Sequence, residues 1–447
     1  MLRKVLVANR GEIALRVIRG CRALGVATVA VYSEADAEAP YVAAADEAVP
    51  IGPPPVQQSY LDAGKILEAA LRTNAEAIHP GYGFLSENAG FARRCAENGI
   101  VFIGPSPEAI ERMGSKATAR ELMRAAGVPV VPGSTSGVES VEAAKSVASD
   151  VGYPVFVKAS AGGGGLGMQL AADAAAIEKV FPATVTRAQA LFGQNAVYIE
   201  KALDRPRHVE FQIFGDTQKN IVHLHERECT IQRRHQKVIE ETPSPVLTPA
   251  FRARMGEAAV KAARAVDYMN AGTIEFLVDA TGAFYFIEMN TRLQVEHPIT
   301  EETCGVDLVQ LQLRVAAGEP LPFRQADVAP RGHAMELRIY AEDPAKNFFP
   351  SPGTITVWKP PRGPGIRLDS GVEQGSVVSV HYDPLLAKLV VSSATREETI
   401  TRALAAINGF QVEGVKTNIP LHAQILRHPE FCAGDFDTGF LYNRLRA

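Results

Sequence analysis

Thr273-Ile274-Glu275-Phe276-Leu277-Val278-Asp279 and Phe284-Tyr285-Phe286-Ile287-Glu288-Met289 are two strand-like runs flanking Ala280-Thr281-Gly282-Ala283. Both are rich in aromatic and β-branched residues, and Gly282 marks a tight reversal. A two-residue turn at Thr281-Gly282, a weaker form of the Asn-Gly signal, pairs Glu275 with Glu288. Their Cβ atoms then lie roughly 5 Å apart on one face. Like charges so placed destabilise a sheet, and a divalent cation between them removes the conflict. Carboxylate oxygens suit Mg²⁺, which is held by one or two carboxylates plus substrate phosphates. A solvated acidic edge is the competing reading, and the apolar flanks Ile274, Phe276, Leu277, Phe286 and Ile287 oppose it.

Downstream, an extended chain from Glu288 to Glu296 puts Glu288, Asn290, Arg292, Gln294 and Glu296 on one face. That row offers a metal at one end, a small anion at Arg292 and a base in Glu296. Upstream, His223–Glu241 mixes both charge signs and reads mostly as solvated surface, with Arg233, Arg234 and Lys237 as cations for the same anion. His225, Cys229 and His235 lack zinc-ligand spacing. In Ala334–Tyr340, Met335, Leu337 and Ile339 face one way. Glu336, Arg338 and Tyr340 face the other, which by alternation alone is exposed.

The N-terminal stretch alternates strand and helix. Lys4–Ala8, Thr28–Tyr32, Ala77–His79 and Ile100–Ile103 read as strands, with helices near Ile13–Leu24 and Asn88–Glu97. Such alternation predicts a parallel sheet. No G-x-G-x-x-G follows the first strand, so a dinucleotide fingerprint is absent. Gly127–Gly133 is broken by Pro129 and Pro132 and marks a boundary. A small unit follows, with strands at Tyr153–Ala159 and Ala196–Lys201 and the run Gly162–Gly165 between them. Glycine backbone can close over phosphates, but the Lys-Ser/Thr of a P-loop is missing. Lys158 and Lys116 are candidate phosphate partners, although a lone lysine at a helix start is more often solvated. A long helix is expected at Ala250–Val266, and Pro320, Pro322 and Pro330 suggest a last boundary.

The 447 residues leave room for two to four domains, and 46% hydrophobic content can bury a sizeable core. A net charge of −4 speaks against a nucleic-acid binder. No apolar run approaches the roughly 18 residues of a membrane span, and no signal peptide is legible. The five cysteines are scattered, with no Cys-x-x-Cys pair. A cytoplasmic, multidomain protein is expected.

Five motifs together resemble biotin carboxylases of the ATP-grasp superfamily. They are H-P-G-Y-G-F-L-S-E-N at His79–Asn88, M-G-S-K at Met113–Lys116, Q-R-R-H-Q-K at Gln232–Lys237, F-I-E-M-N-T-R-L-Q-V-E-H at Phe286–His297 and H-Y-D-P-L-L-A-K-L at His381–Leu389. The resemblance implies an α/β fold (α+β in part) in three regions. These are a Rossmann-like N-terminal domain over 1–114, an ATP-grasp domain over 115–330 with a glycine-rich lid about 131–203, and a C-terminal α+β domain over 331–447. Carried over by position, Lys116, Lys158, Gly164, Gly165, Met168, Glu200, Lys201, Leu203, His208, Gln232, His235 and Leu277 resemble ATP contacts. Glu275, Glu288 and Asn290 resemble ligands of two Mg²⁺ or Mn²⁺ ions. Lys237, Arg292, Gln294 and Val295 resemble a bicarbonate site, Glu296 a general base, and Arg338 and Tyr82 the biotin side.

The implied reaction is ATP-dependent carboxylation of biotin through carboxyphosphate, the first half-reaction of an acetyl-CoA or acyl-CoA carboxylase in fatty acid biosynthesis. With no A-M-K-M-type site in the sequence, biotin is expected on a separate carrier protein, with carboxyltransferase subunits and a homodimer partner. The alternatives are the biotin carboxylase portion of a larger acyl-CoA or pyruvate carboxylase, another ATP-grasp ligase, or a non-catalytic homologue. Leu166 stands where the family usually has a basic residue, Ala161 where glycine is frequent, and Ala23 where an acidic residue often supports the dimer.

Overall fold

A computed structural model describes residues 1–159, 168–192 and 197–445. Gly164 and Gly165, with Ala161 and Leu166, lie outside the described residues. The N-terminal region is the expected parallel sheet, formed by β1 (Lys4–Val7), β2 (Ala27–Ser33), β3 (Glu47–Gly52), β4 (Ala77–His79) and β5 (Val101–Phe102) in the order β3-β2-β1-β4-β5. The helix Gly11–Ala23 carries Ile13, Val17, Ile18 and Cys21 on its buried face, packed against Val5 and Val7 of β1. Each such aliphatic side chain contributes about 1.5–3 kcal/mol. Asn88 caps the helix Ala89–Glu97 by accepting from Phe91 N at 2.8 Å.

A small antiparallel sheet, β6 (Val155–Ala159), β7 (Met168–Ala171) and β8 (Val197–Lys201), packs against the helices Val141–Val151 and Ala174–Phe192. Gly133 pairs with Glu200 of β8 so closely that a Cβ on it would meet Ile199 O at 2.2 Å, so only glycine fits.

The rest of the molecule is built on one eight-stranded sheet. Its strands are β9 (Arg207–Gly215), β10 (Ile221–Arg233), β11 (Gln236–Thr242), β12 (Asn270–Val278), β13 (Phe284–Asn290), β14 (His333–Tyr340), β15 (Ile366–Ser370) and β16 (Leu385–Ser393). Their order is β13-β12-β9-β10-β11-β14-β16-β15, so the sheet runs unbroken past the prolines near 330. The helix Pro249–Arg264 covers one face through Met255, Ala259, Ala262 and Ala263.

Two local expectations are corrected here. The β12–β13 hairpin pairs Phe276 with Phe286 and Val278 with Phe284, which leaves a longer turn than Thr281-Gly282. Asp279 N donates to Ala283 O at 2.9 Å, and Gly282 has φ +80. Ile287 then bulges out, and this extra residue restores the pairing of Glu275 with Glu288. Second, His223–Glu241 is not solvated surface. It forms β10 and β11 in the middle of the sheet, and Arg227, Glu228, Thr230 and Glu240 are buried.

Candidate active site

The sheet order puts charge in a line. Across neighbouring strands Arg227 pairs with Glu210, Glu210 with Glu275, and Glu275 with Glu288. One cation followed by three carboxylates is unstable without further positive charge. Lys237 supplies it, donating to Glu210 Oε2 at 2.5 Å, Glu275 Oε1 at 3.2 Å and Glu296 Oε1 at 2.5 Å. Among the described residues, two His/Cys/Glu groups are tight enough to hold an ion: His208, Glu210 and Glu275, and Glu210, Cys229 and Glu296. Lys237 already contacts the carboxylates of both.

Arg227 is fully buried and uses its whole fork. Nε donates to Glu210 at 2.7 Å, Nη1 to Gln212 at 2.7 Å and Thr300 at 3.0 Å, and Nη2 to Thr273 at 3.1 Å and Gln294 at 2.5 Å. Gln294 is thereby oriented, and its amide donates to Glu275 Oε1 at 2.8 Å. Neither Arg227 nor Glu210 stood out in the sequence. The available signal was the alternation of β9, where His208, Glu210 and Gln212 share a face between Val209, Phe211 and Ile213.

The expected extended row ends at Asn290. Residues 291–296 form a turn, and Glu296 becomes the cap position of the helix His297–Cys304, with φ −80 and ψ 10. The row's side chains still converge on one cleft, because the turn brings them back. Glu296 lies between Lys237 and Arg338, whose Nη2 donates to Glu296 Oε2 at 3.0 Å. Burial alone would raise the Glu296 carboxyl, but Lys237, Arg338 and Arg227 hold it well below the usual range. Arg338 is 7% exposed, contrary to the alternation reading. Its strand lies between β11 and β16, and its Nε donates to Glu240 Oε1 at 2.6 Å. Burial pushes Glu240 up to about 7.

Asn290 Nδ2 donates to Glu275 Oε1 at 2.6 Å, and its Oδ1 accepts from Arg292 Nη2 at 2.9 Å. Glu275 is held low against its burial by Lys237 and His208, and His208 Nε2 lies 2.9 Å from Glu275 Oε2. Glu288 is pushed up, first by burial and then by Glu275. Arg292 Nε donates at 3.0 Å to Glu87, a residue of the motif at His79–Asn88. Of the other expected anion partners, Arg233 pairs with Glu342 at 2.7 Å and covers the Phe348 ring, while Arg234 donates to Asn347 at 3.0 Å. Only Lys237 of the three reaches the carboxylate line.

At the other end, Lys158 pairs with Glu200, and Arg120 Nη1 donates to Glu200 at 2.5 Å. Lys201 turns its ammonium to Gly152 O at 3.0 Å and Tyr153 O at 2.8 Å. His235 and Arg234 form the β10–β11 turn with φ of 66 and 51, a left-handed pair that presents His235 to the cleft. Gln232 Nε2 lies 2.7 Å from His208 Nδ1. Asn9 Nδ2 holds the turn beneath Tyr82 by donating to Pro80 O and Tyr82 O, each at 2.7 Å.

Every described residue that the sequence assigns to the site lines one cleft of 2010 Å³. It runs from Lys116, Met168, Leu203 and Leu277 at one end to Tyr82, Val295 and Arg338 at the other. Paired acids, several lysines and arginines, and one carboxylate clamped by two cations equip the cleft to hold a metal-bound polyphosphate and a small anion beside a base, as a ligase that uses ATP requires. Three family models cover the chain in order: "Biotin carboxylase, N-terminal domain" over 1–110, "Carbamoyl-phosphate synthase L chain, ATP binding domain" over 115–324, and "Biotin carboxylase C-terminal domain" over 336–443. A biotin carboxylase of Halalkalibacterium halodurans is 54% identical over 446 residues, covering 100% of this chain and 98% of the relative. A pyruvate carboxylase subunit of Methanothermobacter thermautotrophicus is 52% identical, covering 99% of this chain and 90% of its own. The biotin carboxylase domain dimer of Hydrogenobacter thermophilus 2-oxoglutarate carboxylase, solved with MgADP, ADP and bicarbonate, superposes with TM-score 0.94 at 47% identity over 100% of this chain and 98% of that one. The chain belongs to the biotin carboxylase family. Among the described residues, no helix is long and apolar enough to cross a membrane.

Proposed function

We propose that this chain carboxylates biotin with bicarbonate at the expense of ATP. The observation that carries the reading is Glu296, buried between Lys237 and Arg338 at the end of the carboxylate line. Clamped ionised, Glu296 accepts the proton of bicarbonate. The deprotonated oxygen attacks the γ-phosphorus of ATP, ADP leaves, and carboxyphosphate forms. Carboxyphosphate breaks to CO₂ and phosphate. Phosphate takes the proton from the biotin ureido nitrogen, and that nitrogen adds to CO₂. Arg338 is placed to meet the developing ureido oxyanion. Arg292, Gln294, Val295 and Lys237 hold bicarbonate, with Tyr82 on the biotin side.

Lys116, Lys158, Met168, Glu200, Lys201, Leu203, His208, Gln232, His235 and Leu277 form the nucleotide end. Lys201 contributes through its backbone there, since its ammonium is bonded to Gly152 and Tyr153. Glu275 and Glu288 would supply carboxylate oxygens to Mg²⁺ or Mn²⁺, and Asn290 would add its side-chain oxygen once its amide turned from Arg292, since Nδ2 now faces Glu275. The opposition of buried Glu275 and half-buried Glu288 is the feature that calls for a cation. Such an ion, when bound, neutralises phosphate charge.

The division into regions 1–114, 115–330 and 331–447 belongs to the same proposal. So do a cytoplasmic setting, a separate biotin carrier, carboxyltransferase subunits and a homodimer. The similarity to a subunit of pyruvate carboxylase leaves the carboxyl acceptor to the partner subunits. The test is biotin-dependent ADP release with Mg-ATP and bicarbonate. Release no faster than without biotin refutes the reading, as does undiminished release in Glu296→Gln.

A further inference from the structure

The motif H-Y-D-P-L-L-A-K-L contains a lysine, Lys388, that the reaction above does not use. Lys388 lies in the middle of β16 and is fully buried. An unpaired ammonium there would be neutralised or expelled, so its partners matter. Nζ donates to Val295 O at 2.9 Å, lies 3.1 Å from Glu12 Oε2 and 4.0 Å from Asp369 Oδ2, and sits 5.9 Å over the Tyr82 ring. Tyr82 hydroxyl in turn donates to Glu12 Oε1. Glu12 belongs to the N-terminal helix, Val295 to the central region and Lys388 to the C-terminal strands.

The carbonyl of Val295 shares its peptide plane with the nitrogen of Glu296. A fixed carbonyl therefore fixes the plane from which the Glu296 side chain departs. The preceding carbonyl is held too, since Gln294 O lies 2.8 Å from His297 Nδ1. The Glu12 carboxylate is held between Lys388 and the Tyr82 hydroxyl, and Gly371 packs against the Glu12 backbone. A Cβ on Gly371 would meet Glu12 N at 2.6 Å.

We propose that Lys388, held by Glu12, is a positioning residue for the general base: it locks the Val295–Glu296 peptide and so aims the Glu296 carboxylate at bicarbonate. The inference rests on the reading of Glu296 as the base. It makes that base competent only when all three regions are docked, and it ties the Tyr82 wall of the cleft to the bicarbonate end.

The test uses the full chain at pH 8, with Lys388→Met and Glu12→Gln compared with the parent. Misplacing a reacting group by about 1 Å costs about 100-fold. Lys388→Met is therefore expected to lower kcat/KM for bicarbonate by about that factor while the affinity for MgADP, read by calorimetry, stays within about twofold. In a Glu296→Gln background, Lys388→Met should then remove little further activity, because both act through one carboxylate. A proportional loss in MgADP affinity and bicarbonate kinetics, or an additive loss in the double variant, overturns the proposal. If Lys388→Met fails to fold, Glu12→Gln decides. It keeps the shape, and it must lower bicarbonate kcat/KM without lowering MgADP affinity. Undiminished activity in Glu296→Gln sinks the base reading itself. An inactive Glu296→Gln beside an unimpaired Lys388→Met sinks only the role of Lys388.

Discussion

Replacing Arg227 by methionine tests whether the carboxylate line is held as the geometry implies. The guanidinium is fully buried and satisfies Glu210, Gln212, Thr300, Thr273 and Gln294 at 2.5–3.1 Å. Methionine fills most of the stem volume, so the packing loss is small. The electrostatic loss is not, because Glu210 keeps Lys237, with His208 Nε2 farther off at 3.8 Å, against its buried charge. Breaking a buried ion pair from one side costs about 3–5 kcal/mol. Each amide oxygen left without a donor, on Gln212 and Gln294, adds about 1 kcal/mol or more. The expected destabilisation of about 5 kcal/mol is a large fraction of the 5–15 kcal/mol typical of a folded protein.

Urea unfolding followed by circular dichroism reads the midpoint, and Arg227→Lys serves as the control that restores charge without the fork. Lysine should recover roughly half of the loss. Adding Glu210→Gln to Arg227→Met should recover about 1 kcal/mol or more, because the orphaned charge is then gone. Gln294 also loses its orienting donor, so the bicarbonate KM should rise in the folded fraction while the ATP KM holds. An Arg227→Met midpoint corresponding to less than about 1 kcal/mol, with bicarbonate KM unchanged, would refute the reasoning.

Three further outcomes follow from single contacts. Glu288→Gln relieves the opposition to Glu275 and should stabilise the metal-free chain, while the Mg²⁺ needed for half-maximal ADP binding rises about tenfold; a titration by calorimetry checks both signs. Burial, only partly offset by Lys388, raises Glu12 from 4.5 to about 7, so this group favours the folded state fully below pH 4.5 and loses that contribution as pH rises through 7. The stability advantage of the parent over Glu12→Gln should therefore shrink by at most about 3 kcal/mol between pH 4.5 and 8, seen as converging urea midpoints. Gly133→Ala drives a methyl into Ile199 O and should cost about 1–3 kcal/mol and raise the ATP KM through displaced Glu200, with bicarbonate KM unaffected.

The legible parts of this site were those specified by neighbours in sequence. The hairpin carrying Glu275 and Glu288 is one, although the pairing arises from a longer turn and a bulge at Ile287, two offsets that compensate. The row from Asn290 to Glu296 was recognisable as a set, but its convergence comes from a turn rather than an extended strand. The segment His223–Glu241 misled because its charges are satisfied from afar. Glu226 meets Arg252, Arg227 meets Glu210, Arg233 meets Glu342, and Glu241 meets His333 and Arg396. A charged strand looks solvated until partners up to 155 residues away are folded against it.

The residues proposed to handle bicarbonate stand on the large sheet or on the turn leaving β13. Lys158 and Glu200 stand on the small one. The cleft is thus walled by two separate sheets, and the spacing of Glu296, Lys237 and Arg338 belongs to the large one and its turn alone. On the proposed reaction, displacing the small sheet would move Lys158 and Glu200 relative to the bicarbonate end without altering what surrounds Glu296. Damage to β6 or β8 should therefore show itself as ATP hydrolysis uncoupled from biotin, with the acid–base profile of the surviving reaction intact.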